Sequence, residues 1–174
     1  AGYEHIGMDH FALPTDELAR ARRGGGLHRN FMGYTTHADT DLVGLGVSAI
    51  SHIGASFSQN PRDLDTWEAR LAHQPDALPV WRGLSLDADD QLRADVIGQI
   101  MCLGEVDIRE VEQVHGIEFA SHFRASLERL APMVADGLVE IDRQRLRATA
   151  RGQLLLRHIA MAFDAYLHER AEAM

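Results

Sequence analysis

No lysine occurs in these 174 residues; all 17 basic side chains are arginine. Any anion site must therefore use arginine, histidine or backbone N–H groups, and arginine's planar fork suits carboxylates. One cysteine, Cys102, excludes an internal disulfide, and a cytoplasmic setting is the expectation. Excess basic charge is missing too: the net charge is −9, against the positive surface that general nucleic-acid binding needs. No run of about 18 apolar residues exists to span a membrane, and no basic-then-apolar leader opens the chain. The N-terminus does not begin with methionine, so a start inside a longer protein is expected. What remains, 45% hydrophobic and 25% charged residues, is an ordinary globular composition.

The pattern predicts an α+β fold, mostly helical. Residues 3–13 alternate as a strand closed by Pro14, and Thr15 is placed to cap a helix over 16–23. Gly24–Gly26 stop that helix, and 28–36 reads as extended or irregular. Small residues punctuate 41–60 (Gly44, Gly46, Ser48, Ala49, Gly54), allowing close backbone approach. Asn60-Pro61 turns into a helix over 62–73 carrying Leu64, Trp67 and Leu71 on one face. Pro75 and Pro79 mark a linker with a boundary near 80–86.

The second half reads as helices over 88–103, 107–115 and 117–136, with Pro132 kinking or restarting the last. A hairpin follows, strands 138–142 and 145–150, then a helix over 151–170 with Leu155, Ile159, Ala162, Phe163 and Tyr166 inward. That order suggests a winged-helix-like domain. The wing carries Arg143, Arg145, Arg147 and Arg151, yet residues 83–174 hold 16 acidic against 10 basic side chains, so a solvated hairpin is favoured over a DNA contact.

Ten histidines contain no H-E-x-x-H motif and no i, i+4 pair, so scattered hydrogen bonding is favoured over a metal site. His5 and His10, on one strand, would face opposite ways. Gly44 and Gly46 lack the third glycine of a dinucleotide fingerprint, and Ser48 lacks a nucleophile elbow. Cys102, beside Ile100 and Met101, reads as a core thiol. Stretch 6–36 interleaves Asp9, His10, His28, Arg29, Asn30 and Tyr34 with Met8, Phe11, Phe31 and Met32. It is either a capped loop or a pocket wall, and the mixed polar and apolar pattern favours the wall.

Four stretches, "IGMDHFALPTDELA", "LHRNFMGYTT", "DLVGLGVSAIS" and "RGLSLDADDQLRADVI", closely resemble the C-terminal portion of the oxygen-independent coproporphyrinogen III oxidases. The similarity runs from Gly2 to the final helix. Asp9-His10-Phe11-Ala12 and His28-Arg29-Asn30-Phe31 resemble the oxidase branch rather than its haem-chaperone relatives.

The resemblance implies a radical S-adenosylmethionine enzyme with a partial (β/α) barrel and a [4Fe–4S] cluster on a three-cysteine motif. Such an enzyme converts two propionates of coproporphyrinogen III to vinyls, giving protoporphyrinogen IX for haem synthesis, and takes an electron from a donor. The cluster cysteines are not among these residues, so the chain alone is expected to be colourless and inactive. Residues 1–80 would end the barrel and form the cofactor and substrate pocket; 81–174 would be the winged-helix-like cap, its wing near the barrel's open face. Phe31, Met32 and Ile50 match positions lining the S-adenosylmethionine sites. Family members carry glutamine where this chain has Met32, and a thioether cannot replace an amide's hydrogen bonds. Arg29 is the candidate for a propionate or cofactor carboxylate. No specific nucleic-acid and no membrane partner is expected. The competing reading is a stand-alone winged-helix interaction or nucleic-acid-binding module.

Overall fold

The structure, a computed structural model, describes residues 1–38 and 40–167. Its strands and helices divide between two compact units, Ala1–Ala38 with the chain from Leu92 onward, and Asp39–Gln91. This division differs from the 1–80/81–174 division read from sequence. The reason is packing: Ile6, Ala12, Ala19 and Leu27 share a buried cluster with Cys102, far along the chain.

In the larger unit, residues 3–13 form a hairpin rather than one strand: β1 (Glu4–Gly7) pairs antiparallel with β2 (His10–Ala12). Met8, at φ 48°, turns the chain between them. That turn removes the opposite-face relation expected of His5 and His10: the His5 ring packs on Phe11 and the His10 ring on Tyr34. Helix α1 (Glu17–Gly24) is capped by Asp16, not Thr15; its carboxylate accepts the Leu18 N–H at 2.8 Å. Gly25 ends the helix in the left-handed region. Strands β3 (His28–Asn30) and β4 (Gly33–Thr35) then form a second antiparallel hairpin.

The smaller unit holds a three-stranded antiparallel sheet in sequence order: β5 (Ile50–Ile53), β6 (Ser56–Gln59) and β7 (Arg82–Ser85). Strand β7 lies where sequence suggested only a boundary; its Arg-Gly-Leu-Ser gave no alternating signal. Helix α2 (Leu64–His73) is capped by Asp63, which accepts from Thr66 N–H. Its expected apolar face is only half realised: Trp67 and Leu71 are half-buried, while Leu64 stays exposed.

Helix α3 (Ala88–Leu103) matches its predicted span. Asp87 and Asp90 bond reciprocally to each other's N–H at its start, a capping box built with aspartate. Leu92, Val96 and Ile100, four residues apart, enter the main core. Strand β8 (Glu105–Asp107) leads to α4 (Ile108–His115), which Gly116 ends at φ 66°. The single helix expected over 117–136 is two: α5 (Phe119–His122) and α6 (Arg124–Ala135), divided at Phe123. Pro132 lies inside α6 without ending it.

The hairpin β9 (Val139–Ile141) and β10 (Arg145–Ala148) gains β8 as a third strand, in the order β8-β10-β9. The predicted helix over 151–170 is a 3-10 turn at Gly152–Leu155 and then α7 (Leu156–Met161); residues 168–170 lie outside the described residues. Ile159, Ala162 and Phe163 are buried as expected, but Tyr166 is half exposed, because the helix breaks before it. The core centres on Phe119, Phe123 and Phe163, with Phe123 4.8 Å from Phe119 and 5.2 Å from Phe163 between ring centroids.

Candidate functional site

Within the larger unit, the β3–β4 hairpin lifts its tip into solvent. Asn30 Oδ1 accepts the Met32 N–H at 2.8 Å, fixing the turn locally. Gly33, at φ 127°, closes it in a conformation other residues avoid. The tip therefore presents Phe31 and Met32, 54% and 83% exposed, on a backbone that is itself held. Two large apolar side chains on an ordered, exposed tip are placed to contact something rather than to fill a core.

The base of the hairpin is anchored differently. Tyr34 reaches across a gap left by Gly7, where a Cβ would stand 2.2 Å from the phenol oxygen, and donates to the Met101 carbonyl at 3.1 Å. Burial pushes the Tyr34 phenol up, and Cys102 nearby adds to the shift. Arg29 stacks over the Tyr34 ring at 5.8 Å.

Beside this anchor lies a cavity of about 300 Å³. Met8 from the β1–β2 turn, Arg29 from β3, Ile97 and Met101 from α3, and Arg157, Ala160, Met161 and Asp164 in and after α7 line it. Sequence reasoning named Arg29 and missed Arg157 and Asp164. Nothing in the pattern of 151–170 marks them, because their role arises from the packing of α7 against the N-terminal hairpins.

Ile50 belongs to the smaller unit. It pairs with Gln59 across β5 and β6 and is half-buried. Of the glycines before it, Gly44 serves close packing, as sequence suggested: a Cβ on Gly44 would stand 2.6 Å from the Ile50 carbonyl oxygen, and Ser51 Oγ accepts the Gly44 N–H at 2.9 Å, whereas Gly46 has open space and instead takes φ 97°. Asn60 donates to the Gly46 carbonyl, tying the same loop to the strand end. Trp81 lies under two guanidiniums, Arg82 at 4.7 Å and Arg62 at 5.6 Å.

Two further expectations concern charge. The wing arginines are engaged locally: Arg147 pairs with Glu140 at 2.7 Å, Arg145 approaches Glu105 at 3.8 Å, and Arg151 donates to the Asp136 carbonyl. Cys102 is buried, as expected of a core thiol, and burial pushes it up to about 11, with Arg29 opposing the shift.

The same burial has a consequence for stability. The folded pKa exceeds the ordinary 9.0, so the thiol's contribution is complete below pH 9 and is lost as pH rises towards 11. Thermal midpoints measured across that window should fall. Cys102→Ala should lose this part of the fall and keep a smaller part from Tyr34, which begins above its ordinary 10.0 and no longer has Cys102 raising it.

Residues 86–155 match the family described as the HemN C-terminal domain. The chain is 50% identical over 171 residues to the oxygen-independent coproporphyrinogen III oxidase of Salmonella typhimurium, covering 98% of this chain and 37% of that protein. The Escherichia coli protein of the same name is 48% identical over the same shares. The Pseudomonas aeruginosa one is 48% identical over 96% of this chain and 36% of its own length. Among solved structures, the Escherichia coli coproporphyrinogen III oxidase (HemN), described as a radical SAM enzyme, superimposes with a TM-score of 0.91 at 48% identity, over 95% of this chain and 38% of that one. The chain thus spans less than two-fifths of the length of these relatives. Residues 86–155 thus match the HemN C-terminal domain, and the chain as a whole is similar to the C-terminal segment of oxygen-independent coproporphyrinogen III oxidases.

Proposed function

We propose that this chain is the C-terminal part of a cytoplasmic oxidase that converts two propionates of coproporphyrinogen III to vinyls, giving protoporphyrinogen IX in haem biosynthesis. The observation that carries the reading is a match of half the residues over 98% of the chain. In the whole protein, S-adenosylmethionine and a reduced [4Fe–4S] cluster on preceding cysteines would supply the radical chemistry, with an electron donor. This chain's part is binding, orientation and exclusion of water.

Phe31, Met32 and Ile50 are proposed to line the S-adenosylmethionine sites. The exposed Phe31 and Met32 tip suits packing on cofactor carbons, and an apolar contact there keeps water from the reacting centre. Met32 supplies packing only, so hydrogen bonds that a glutamine would make must come from elsewhere in the whole protein. Arg29 is proposed to meet a carboxylate. Residues 1–80 are read as the end of a partial (β/α) barrel with its pocket, and 81–174 as a winged-helix-like cap. Helices α3, α4 and α6 with the three-stranded β8-β10-β9 sheet support the latter. The wing's ion pairs with its own carboxylates support a structural rather than DNA-binding use.

Ile50→Asp, in the full-length protein that carries this chain, tests the cofactor assignment. A carboxylate facing the cofactor should weaken S-adenosylmethionine binding by about tenfold or more, given the cost of desolvating a charge. A titration giving unchanged affinity would remove Ile50 from the site.

A further inference from the structure

The 300 Å³ cavity beside Tyr34 has a specific chemistry. Two guanidiniums from distant parts of the chain, Arg29 and Arg157, line it together. Among the described residues the Arg157 side chain has no ion-pair or hydrogen-bond partner, unlike those of Arg145 and Arg147 of the wing, which face glutamates. Arg29 lies on the Tyr34 ring, a contact that orients a guanidinium without neutralising it. One carboxylate shares the cavity, Asp164, and its Oδ1 already accepts the Leu167 N–H at 3.1 Å. The rest of the lining is apolar, notably Met8, Met101 and Met161.

We infer that this cavity is a carboxylate subsite in which Arg29 and Arg157 together grip a non-reacting propionate of the tetrapyrrole, with the methionine thioethers packed on its methylenes and the adjoining pyrrole edge. The inference rests on the reading under Proposed function. Two arginines beside apolar side chains select an acid with a hydrocarbon stem over a free inorganic anion. The volume suits one side chain and a ring edge, not a whole tetrapyrrole. The logic of the reaction asks for such a grip. Only two of the substrate's propionates react, and holding the others far from the reacting centre positions the ones that do. Three deformable methionines let the lining follow a ring edge as the substrate seats.

The test uses the full-length protein. Arg29→Gln and Arg157→Gln should each raise the dissociation constant of coproporphyrin III, read by fluorescence, by about tenfold, the order expected on losing one charge-assisted hydrogen bond. KM for coproporphyrinogen III should rise in parallel with kcat little changed, and S-adenosylmethionine affinity should be unaltered. Arg157→Lys should retain part of the binding. Met8→Asp offers an independent variant. The Met8 backbone, at φ 48°, suits aspartate, and the new carboxylate would offset the arginine charge. It should weaken coproporphyrin III binding to the same degree. Unchanged coproporphyrin III affinity in both arginine variants, in a protein that still turns over substrate, would overturn the subsite and leave the proposed function standing. Loss of S-adenosylmethionine affinity with coproporphyrin III binding intact would also overturn it, giving the arginines to the cofactor. A wild-type protein that neither binds coproporphyrin III nor converts the porphyrinogen would overturn the proposed function and the subsite with it.

Discussion

Gly152→Ala should lower the thermal midpoint by roughly 6–12 °C, the equivalent of about 3 kcal/mol in a chain of this size. The φ of Gly152 is ordinary; space is the constraint. A Cβ there would stand 1.9 Å from the Leu138 carbonyl oxygen and 3.0 Å from its carbon. These are backbone atoms, so no side chain can swing aside. The Leu138 oxygen also accepts the Thr149 N–H at 3.0 Å, and Thr149 Oγ1 donates to the Gly137 carbonyl and accepts from Gly152 N–H. One methyl group therefore pushes on the junction that closes the β9–β10 hairpin against the start of the final helical segment. Gly98→Ala is the contrast. Gly98 lies inside α3 with nothing within 4 Å of its would-be Cβ, and alanine there should raise stability by up to about 1 kcal/mol. Equal effects of the two substitutions, read by the loss of helical ellipticity on heating, would contradict this packing.

Phe31→Asp should have the opposite profile, with little effect on folding and a large one on function. Phe31 is more than half exposed and belongs to neither buried cluster, so its loss opens no cavity in the core. The turn beneath it is fixed by Asn30 and Gly33 and survives the change. If the tip covers the cofactor, the substitution removes an apolar contact worth about 1.5–3 kcal/mol and places a charge in its stead. Turnover of coproporphyrinogen III by the full-length protein should fall about 30-fold or more in kcat/KM, with the thermal midpoint within about 2 °C of wild type. An unchanged kcat/KM would take Phe31 out of the site, and a collapsed midpoint would show it to be a packing residue.

Much of the main core was legible because its signals are local. The four-residue spacing of Leu92, Val96 and Ile100, flanked by Asp87 and the left-handed Gly104, sets α3 without help from the rest of the chain. The β9–β10 hairpin was equally plain. What sequence missed depends on partners distant in the chain. Strand β8 is three residues long and exists as a strand because β10 pairs with it. The 3–13 hairpin read as one strand because its turn uses Met8-Asp9, not the glycine or asparagine that usually marks one. At the candidate site, Arg29, Phe31 and Met32 stood out as polar and apolar residues in alternation. Arg157 did not, since a lone arginine on a helix looks like any solvated charge until α7 is brought against β3. The Gly7 notch that admits the Tyr34 hydroxyl is likewise invisible in one dimension.

The measurement that bears most directly on this account is product formation by a chimera. The portion of the Escherichia coli oxidase that precedes the matched segment would be joined to this chain, then tested without oxygen in the presence of S-adenosylmethionine, a reductant and coproporphyrinogen III. If the chain is the C-terminal segment of such an oxidase, the chimera forms protoporphyrinogen IX at a rate within about tenfold of the parent enzyme, and Arg29→Gln within it raises KM. A folded chimera that holds its iron–sulfur cluster and S-adenosylmethionine yet leaves coproporphyrinogen III unconverted would contradict the account.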